Sequence, residues 1–282
     1  MILIADSGST KTSWCLVHNG EVRAEFSSEG YNPCYMSQEY ISQSLKACLP
    51  ANPLWEQVEE ITFYGAGCYD DKFVVMQEAL HPLFPHAEVS VAMDLIGSAR
   101  ALLGRQAGFA AILGTGTNSC LYDGQRITHN IDSLGFMLGD EGSGGYIGKR
   151  LISDYIRGYM PKEIHQAFWD KYRMTGDELI DRIYLGEMPN RYCAGFTRFI
   201  TGFGQANDYL DRVVYEAFSD FFKNIVSGYP SYTDYTFNCV GSVGWIFKDT
   251  LTRVAADYQM KTEKIINEPM EGLIAYHSIK IT

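Results

Sequence analysis

FAAILGTGTNSCLYDGQRITHN, residues 109–130, restates the opening of the chain, MILIADSGSTKTSWCLVHNGEVRAEF, residues 1–26. In each, an apolar strand runs into a Gly-centred polar turn, and a second apolar strand leads through a tight turn into a third. The tight turns are His18-Asn19-Gly20 and Asp123-Gly124, and Asn-Gly or Asp-Gly between apolar runs is a strong hairpin signal because the turn needs positive φ. Aligning Gly8 with Gly116 sets Ser7 over Thr115, Ser9 over Thr117 and Thr10 over Asn118. A repeat of this kind predicts two halves built alike.

Each opening is followed by strand–helix alternation. Helical spacing marks QEYISQSLKACL (38–49) and KFVVMQEALHPLF (72–84), and strands are expected at VEEITFYGAG (58–67) and AEVSVAM (87–93), the latter delivering Asp94. The helix LIGSARALLG (95–104) and the glycines at 104 and 108 read as a hinge. The second half continues with the Gly-rich stretch GFMLGDEGSGGYIGKRLI (135–152) and helices KEIHQAFWDKY (162–172), DELIDRIY (177–184) and YLDRVVYEAFSDFFKNIVSGY (209–229). A strand YTFNCVGSVG (235–244), a helix IFKDTLTRVAADYQ (246–259), a strand KIIN (264–267) and a closing helix from Pro269 complete it. The expected domains are 1–105 together with the closing helix 269–282, and 106–268. Phe218, Phe221 and Phe222 sit at helical spacing and read as core.

Composition narrows the function classes. A chain of 282 residues with 46% hydrophobic and 20% charged residues is an ordinary globular composition with enough length for two cores. A formal charge of -11 disfavours nucleic acid and anionic membrane as partners, so a bound phosphate has to be small and held locally by backbone amides or a cation. The seven cysteines are scattered, without a CxxC, as expected for reduced thiols in a cytoplasmic protein. Asp6 interrupts the N-terminal apolar run, against a signal peptide.

DSGSTKT, residues 6–12, looks at first like a nucleotide loop. A Walker loop needs G-x-x-x-x-G-K-[ST], and no glycine stands at either required position before Lys11. SGGYIGK (143–149) fails as well, with Ser143 in place of the first glycine and Arg150 in place of Ser/Thr. Dinucleotide-type G-x-G-x-x-G is absent, since Ser119 and Ile147 end the two candidate runs. What remains is an acid at a strand end followed by a Gly-Ser-Thr turn. A carboxylate beside phosphate repels it unless a divalent cation bridges them, so Asp6 predicts Mg²⁺ held through water. Gly8 lets the backbone approach, and Ser9, Thr10 and Thr12 carry donors. A capped β-turn with no ligand is the other reading of this loop alone.

DSGSTKT at 6–12, GTGTNS at 114–119 and GSVG at 241–244 together resemble the two phosphate motifs and the adenosine motif of the actin-like (RNase H-like) ATPase superfamily, which includes sugar kinases. With SLGFMLGDEGSGGYIGK at 133–149 the resemblance narrows to the N-acetylglucosamine kinase-like branch of the BadF/BadG/BcrA/BcrD-type ATPases. It implies an α/β fold of two RNase H-like domains, each a mixed sheet with three antiparallel N-terminal strands followed by helix–strand units, with a cleft between them that closes on sugar. It implies ATP held by Gly8, Ser9, Thr10 and Thr12, by Gly114, Thr115, Gly116 and Thr117, and by Gly241 and Ser242. Asp94 is implied as the base that takes the proton of the attacking sugar hydroxyl, and it also stands where it would N-cap its helix. Asn32, Asn118, Gly135 and Asp140 are implied sugar contacts, with Asp140 doubling as a metal ligand beside Asp6. Asn32 reads equally as a turn residue before Pro33. The cofactors implied are ATP and Mg²⁺, the partner is a small sugar, and a homodimer is compatible with the resemblance. The implied activity is transfer of the ATP γ-phosphoryl group to N-acetylglucosamine or a related hexosamine. The branch commonly reads Gly-Gly-Trp-Gly before its Gly-Asp-Glu-Gly motif, whereas this chain has Asp132-Ser133-Leu134-Gly135. A BadF-type activator ATPase is an alternative, although GDEGSGGYIGK carries no Cys for an iron–sulfur cluster. A non-catalytic sugar or nucleotide sensor on the same fold is the other.

Overall fold

The computed structural model describes residues 1–69, 71–204 and 206–278; residues 279–282 of the expected closing helix lie outside the described residues. The chain opens with β1 (Ile2–Ser7), β2 (Lys11–His18) and β3 (Glu21–Glu29), then α1 (Gln38–Cys48), β4 (Glu60–Gly65), α2 (Lys72–Leu80), β5 (Glu88–Met93) and α3 (Asp94–Leu103). β1 pairs antiparallel with β2 and parallel with β4, and β4 pairs parallel with β5. The sheet order is therefore β3-β2-β1-β4-β5. β1 is buried along most of its length because helices cover both faces, which is why it reads as an apolar run rather than as an alternation.

The pattern restarts with β6 (Gly108–Leu113), β7 (Thr117–Tyr122) and β8 (Ile127–His129), followed by α4 (Gly135–Leu138), α5 (Gly144–Arg157), α6 (Lys162–Tyr172), α7 (Gly176–Tyr184), α8 (Pro189–Ala194), α9 (Thr197–Gly202) and α10 (Asp208–Asn224). β9 (Phe237–Val240), α11 (Ser242–Ile246), α12 (Lys248–Asp257), β10 (Thr262–Ile266) and α13 (Met270–Ser278) complete the chain. This second sheet has the order β10-β9-β6-β7-β8, which is the first order read from the opposite edge. Two mixed five-stranded sheets of one topology make an α/β protein.

Contacts divide the chain into two units. One comprises Met1–Gly108, Tyr122–Thr128 and the segment from Glu268 onward, and the other comprises Phe109–Leu121 and His129–Asn267. The first is built around Leu3, Trp14, Leu16, Ile41, Leu45, Phe63 and Met76. In the second, α10 buries Phe218, Phe221 and Phe222 completely, as their spacing predicts.

Several boundaries differ from the sequence reading for identifiable reasons. α2 stops at Leu80 rather than continuing through Phe84, since Pro82 follows and cannot extend the helix. α10 ends at Asn224, and the run after β9 turns helical at Ser242 instead of remaining extended. The repeat is offset as well: β1 ends at Ser7 and β2 begins at Lys11, while β6 ends at Leu113 and β7 begins at Thr117. Gly8 thus corresponds to Gly114, not to Gly116. A two-residue slip preserves the in/out alternation of every strand residue, so hydrophobic pattern alone does not detect it.

α5 packs so closely on α8 that a Cβ at Gly148 would overlap the Cys193 carbonyl. Gly148→Ala is accordingly expected to cost about 3 kcal/mol of stability in urea unfolding. A loss below about 0.5 kcal/mol would mean that α8 yields without cost.

Candidate active site

In the first unit the register sets Ser7 beside Gly65 and Gly65 beside Met93, so β1, β4 and β5 end level with one another. Asp6 lies one residue before that row and Asp94 one residue after it, and both carboxylates belong to the same edge of the sheet. Ser7 is the knot of this edge. Its buried hydroxyl accepts from the Tyr31 N–H (3.0 Å), donates to the Tyr31 carbonyl (3.1 Å) and pairs with the Thr12 hydroxyl (2.7 Å). Gly30 seals the knot: its N–H donates to the Thr10 carbonyl (3.1 Å), and a Cβ there would meet Ser9 C at 2.8 Å and Thr10 N at 2.9 Å. The turn Gly8–Thr10, closed by Gly8 N–H to the Lys11 carbonyl (3.0 Å), is therefore held from below. Gly8 and Thr10 are exposed, and Ser9 is half-buried.

Thr12 departs from the expectation that it serves phosphate. It is fully buried, and its hydroxyl donates to the Glu29 carbonyl at 2.9 Å. It braces the hairpin instead.

Asp6 and Asp94 are both half-buried. Burial, then the charges of Asp94 and Glu268, push the Asp6 carboxyl up from 3.8 to about 7, with Lys11 opposing. Burial lifts Asp94 to about 6, while hydrogen bonds from backbone amides oppose the rise. Asp94 is the first residue of α3, and its Oδ1 accepts from Leu95 N–H at 2.8 Å, which orients the carboxylate. The expected N-cap role of Asp94 is not found: Met93 is the N-cap of α3 and no side chain caps it, so the contact aims the acid without starting the helix. A carboxyl poised between about 6 and 7 exchanges protons near neutrality, as general-base chemistry requires.

Asp6 also has the character of a cation ligand, being a hard oxygen donor crowded by two further negative charges. Among the described residues no three His, Cys, Asp or Glu side chains group to hold a metal by themselves. Mg²⁺ typically takes one or two carboxylates and completes its shell with phosphates and water. Lys11 is exposed and acts on Asp6 only through its charge. Lys11→Ala is expected to leave turnover within about fivefold of wild type in a coupled ADP-release assay. A loss of about a hundredfold would restore a phosphate-gripping lysine.

Asn32 is half-buried just past the Gly30–Tyr31 brace, and its Oδ1 accepts from Cys34 N–H at 2.9 Å. It does form the turn before Pro33.

In the second unit, Leu113 leads into the turn Gly114–Gly116, whose Gly114 N–H donates to the Gly116 carbonyl (3.0 Å). The first turn of α5 grips this loop from outside, with Gly144 N–H donating to the Gly114 carbonyl (2.8 Å) and Gly145 N–H to the Thr115 carbonyl (3.0 Å). Asp140, at φ +59° and 7% exposed, accepts at Oδ1 from Thr117 N–H (3.2 Å). Gly116 makes room for it, since a Cβ there would stand 3.1 Å from Asp140 Oδ2. Burial raises the Asp140 carboxyl, opposed by the Thr117 and Ser133 hydrogen bonds and by Lys149. The Thr117 hydroxyl donates to the Glu141 carbonyl at 2.7 Å, so like Thr12 it points inward. Asn118 Oδ1 accepts from Ser119 N–H and Asn130 Nδ2, both at 3.0 Å. Gly135 opens α4 at φ +66° and is exposed. Gly241, at φ +127°, lies against Leu113, where a Cβ would stand 2.5 Å from the carbonyl oxygen. Ser242 is exposed at the start of α11.

In the first unit Asp6, the Gly8–Thr10 turn and Asp94 stand at the ends of β1 and β5, and in the second Gly114–Gly116 and Gly241 stand at the ends of β6 and β9, whereas Asn118 lies within β7 and Gly135 opens α4. Sequence reasoning missed Ser7, Gly30 and Glu268. A serine preceding a phosphate-like turn and the glycine in Glu29-Gly30-Tyr31 were the available signals for the first two, and Glu268 carried none.

No family model and no curated protein matches the chain. Among solved structures, a candidate N-acetylglucosamine kinase from Porphyromonas gingivalis is 38% identical, with 99% of each chain covered and a TM-score of 0.94. A second candidate N-acetylglucosamine kinase, from Chromobacterium violaceum, is 18% identical with a TM-score of 0.73 and 98% of each chain covered. A ROK family glucokinase from Streptomyces griseus, solved with glucose and AMPPNP, is 15% identical with a TM-score of 0.55, covering 98% of this chain and 97% of that one. The latter two similarities speak to the fold. Among the described residues no helix is long and apolar enough to cross a membrane.

Proposed function

We propose, from the premise that this chain belongs to the N-acetylglucosamine kinase-like family of sugar kinases, that it transfers the γ-phosphoryl group of ATP to a hydroxyl of N-acetylglucosamine or a closely related hexosamine. The observation that carries the reading is Asp94: a half-buried acid at the end of β5, oriented by Leu95 N–H and raised to about 6. As the new bond forms from the sugar hydroxyl oxygen to the γ-phosphorus and the bond to the β,γ-bridging oxygen breaks, the hydroxyl proton passes to the Asp94 oxygen not engaged by Leu95. ADP leaves with the bridging oxygen.

The other residues position the reactants. Gly8, Ser9, Thr10, Gly114, Thr115 and Gly116 are assigned to the ATP phosphates, and Gly241 and Ser242 to adenosine. Mg²⁺, held by Asp6 together with the phosphates, would supply charge neutralisation. Asn32, Asn118 and Gly135 are assigned to the sugar. Asp140, buried and bonded to Thr117 N–H, is assigned to shaping the second phosphate turn rather than to the metal. The Gly-Gly-Trp-Gly tryptophan of the branch is replaced by Leu134, which is 60% exposed in the left-handed conformation.

The test is ADP release over a panel of hexosamines with and without Mg²⁺, N-acetylglucosamine being expected to outrun N-acetylmuramic acid and glucosamine. Absence of sugar-dependent ADP release with every member would refute the kinase reading. An iron–sulfur absorbance band in the purified protein would instead support the activator ATPase.

A further inference from the structure

The loop joining β4 to α2, Gly65–Tyr69, is unassigned by the reading above, yet it is tied to the same sheet edge. Ala66 N–H donates to the Ser7 carbonyl at 3.2 Å, the residue that knots the phosphate turn. Gly67 takes φ +75°, and a Cβ there would overlap Asn32 Oδ1 and stand 2.8 Å from Asn32 Cγ and 3.0 Å from Nδ2. Only glycine lets the Asn32 carboxamide occupy that place. Cys34 joins the two loops, its sulfur lying 3.4 Å from both the Gly67 carbonyl and the Tyr69 hydroxyl, with its one proton shared between them. Cys68 in the same loop is fully buried, and Gly65 at the head of the loop pairs in register with Met93, the residue before the base. Tyr69 itself is 48% exposed. Its hydroxyl is in contact with Cys34 while about half of the residue's surface remains open.

We propose that this loop is a wall of the acceptor subsite: the Tyr69 ring takes the apolar C–H face of the sugar, and Gly67 and Cys34 hold Asn32 in position beside it. The proposal rests on the sugar-kinase reading and deepens it. An aromatic face carries negative quadrupole charge and a large apolar area, which suits the C–H groups on one side of a pyranose. Gly67 and Cys34 are positioning residues, since neither needs to touch the sugar.

Steady-state kinetics with N-acetylglucosamine and ATP varied separately tests this, with thermal denaturation confirming that each variant is folded. Tyr69→Ala should raise the sugar KM about tenfold or more with the ATP KM within about twofold, and Tyr69→Phe, which keeps the ring, should stay within about threefold of wild type. Gly67→Ala should raise the sugar KM in the same selective way, and Cys34→Ser should perturb it less than Cys34→Ala. An unchanged sugar KM in folded Tyr69→Ala, or equal rises in both KM values, overturns the proposal while leaving the kinase reading intact. If wild type turns over no hexosamine, the kinase reading fails separately, and sugar-induced rises in melting temperature decide the subsite. A hexosamine that stabilises wild type and Tyr69→Phe but not Tyr69→Ala supports the wall; equal stabilisation of all three, or of none, overturns it.

Discussion

Asp94→Asn lowers kcat by about 10³-fold or more while leaving the chain better folded at pH 8 than wild type. The catalytic half follows from chemistry: the amide cannot accept the hydroxyl proton, and its oxygen can still accept from Leu95 N–H, so geometry is retained while basicity is lost. The stability half follows from the raised carboxyl. In the folded chain Asp94 titrates at about 6 against 3.8 for the free side chain. Folding therefore favours its protonated form, and the stability it contributes is fully present below about 4 and lost as pH rises through about 6. At pH 8 the variant no longer carries a half-buried charge and should gain on the order of 1–2 kcal/mol; near pH 4 that gain should vanish. A loss of activity accompanied by a lower melting temperature at pH 8 would instead make Asp94 a structural helix starter. In wild type the same titration predicts that kcat/KM falls as the pH drops below about 6.

Asp6→Ala is expected to reduce Mg²⁺-dependent turnover by on the order of 10³-fold, without restoration by excess Mg²⁺. Asp6 sits among the charges of Asp94 and Glu268 and is driven to about 7, a state that a divalent cation relieves by favouring the ionised form. If Asp6 holds Mg²⁺ as proposed, its removal would take away the protein's carboxylate ligand to the metal. The comparison with Lys11→Ala is the informative one. If Asp6→Ala kept most of its activity and Lys11→Ala lost it, the loop would be gripping phosphate through lysine as a Walker loop does. Melting curves should show Asp6→Ala folded, because the knot of Ser7, Thr12 and Tyr31 does not use the Asp6 side chain.

Much of the architecture was legible because it depends on local rules. Asn19-Gly20 and Asp123-Gly124 announce hairpins, and the repeated strand–turn–strand opening announces two halves whose sheets share one topology. The strand ends carrying Asp6 and Asp94 were legible for the same reason, as was the buried face of α10. The short helices α8 and α9 were not, since neither is long enough to display a period. Gly67 was quoted only as the end of a strand, because the atom it avoids belongs to Asn32, far away in the sequence.

By itself, then, the sequence determined which residues stand at the strand ends and in the turns, because alternation, helical spacing and turn chemistry act over a few neighbouring residues. Only the tertiary structure decided which of their polar groups face outward. The hydroxyls of Thr12 and Thr117 are indistinguishable in sequence from those of Ser9 and Thr10, yet they are consumed by the carbonyls of Glu29 and Glu141. It also decided the acidities of Asp6 and Asp94, because desolvation and the field of distant charges exist only once the chain has closed around them.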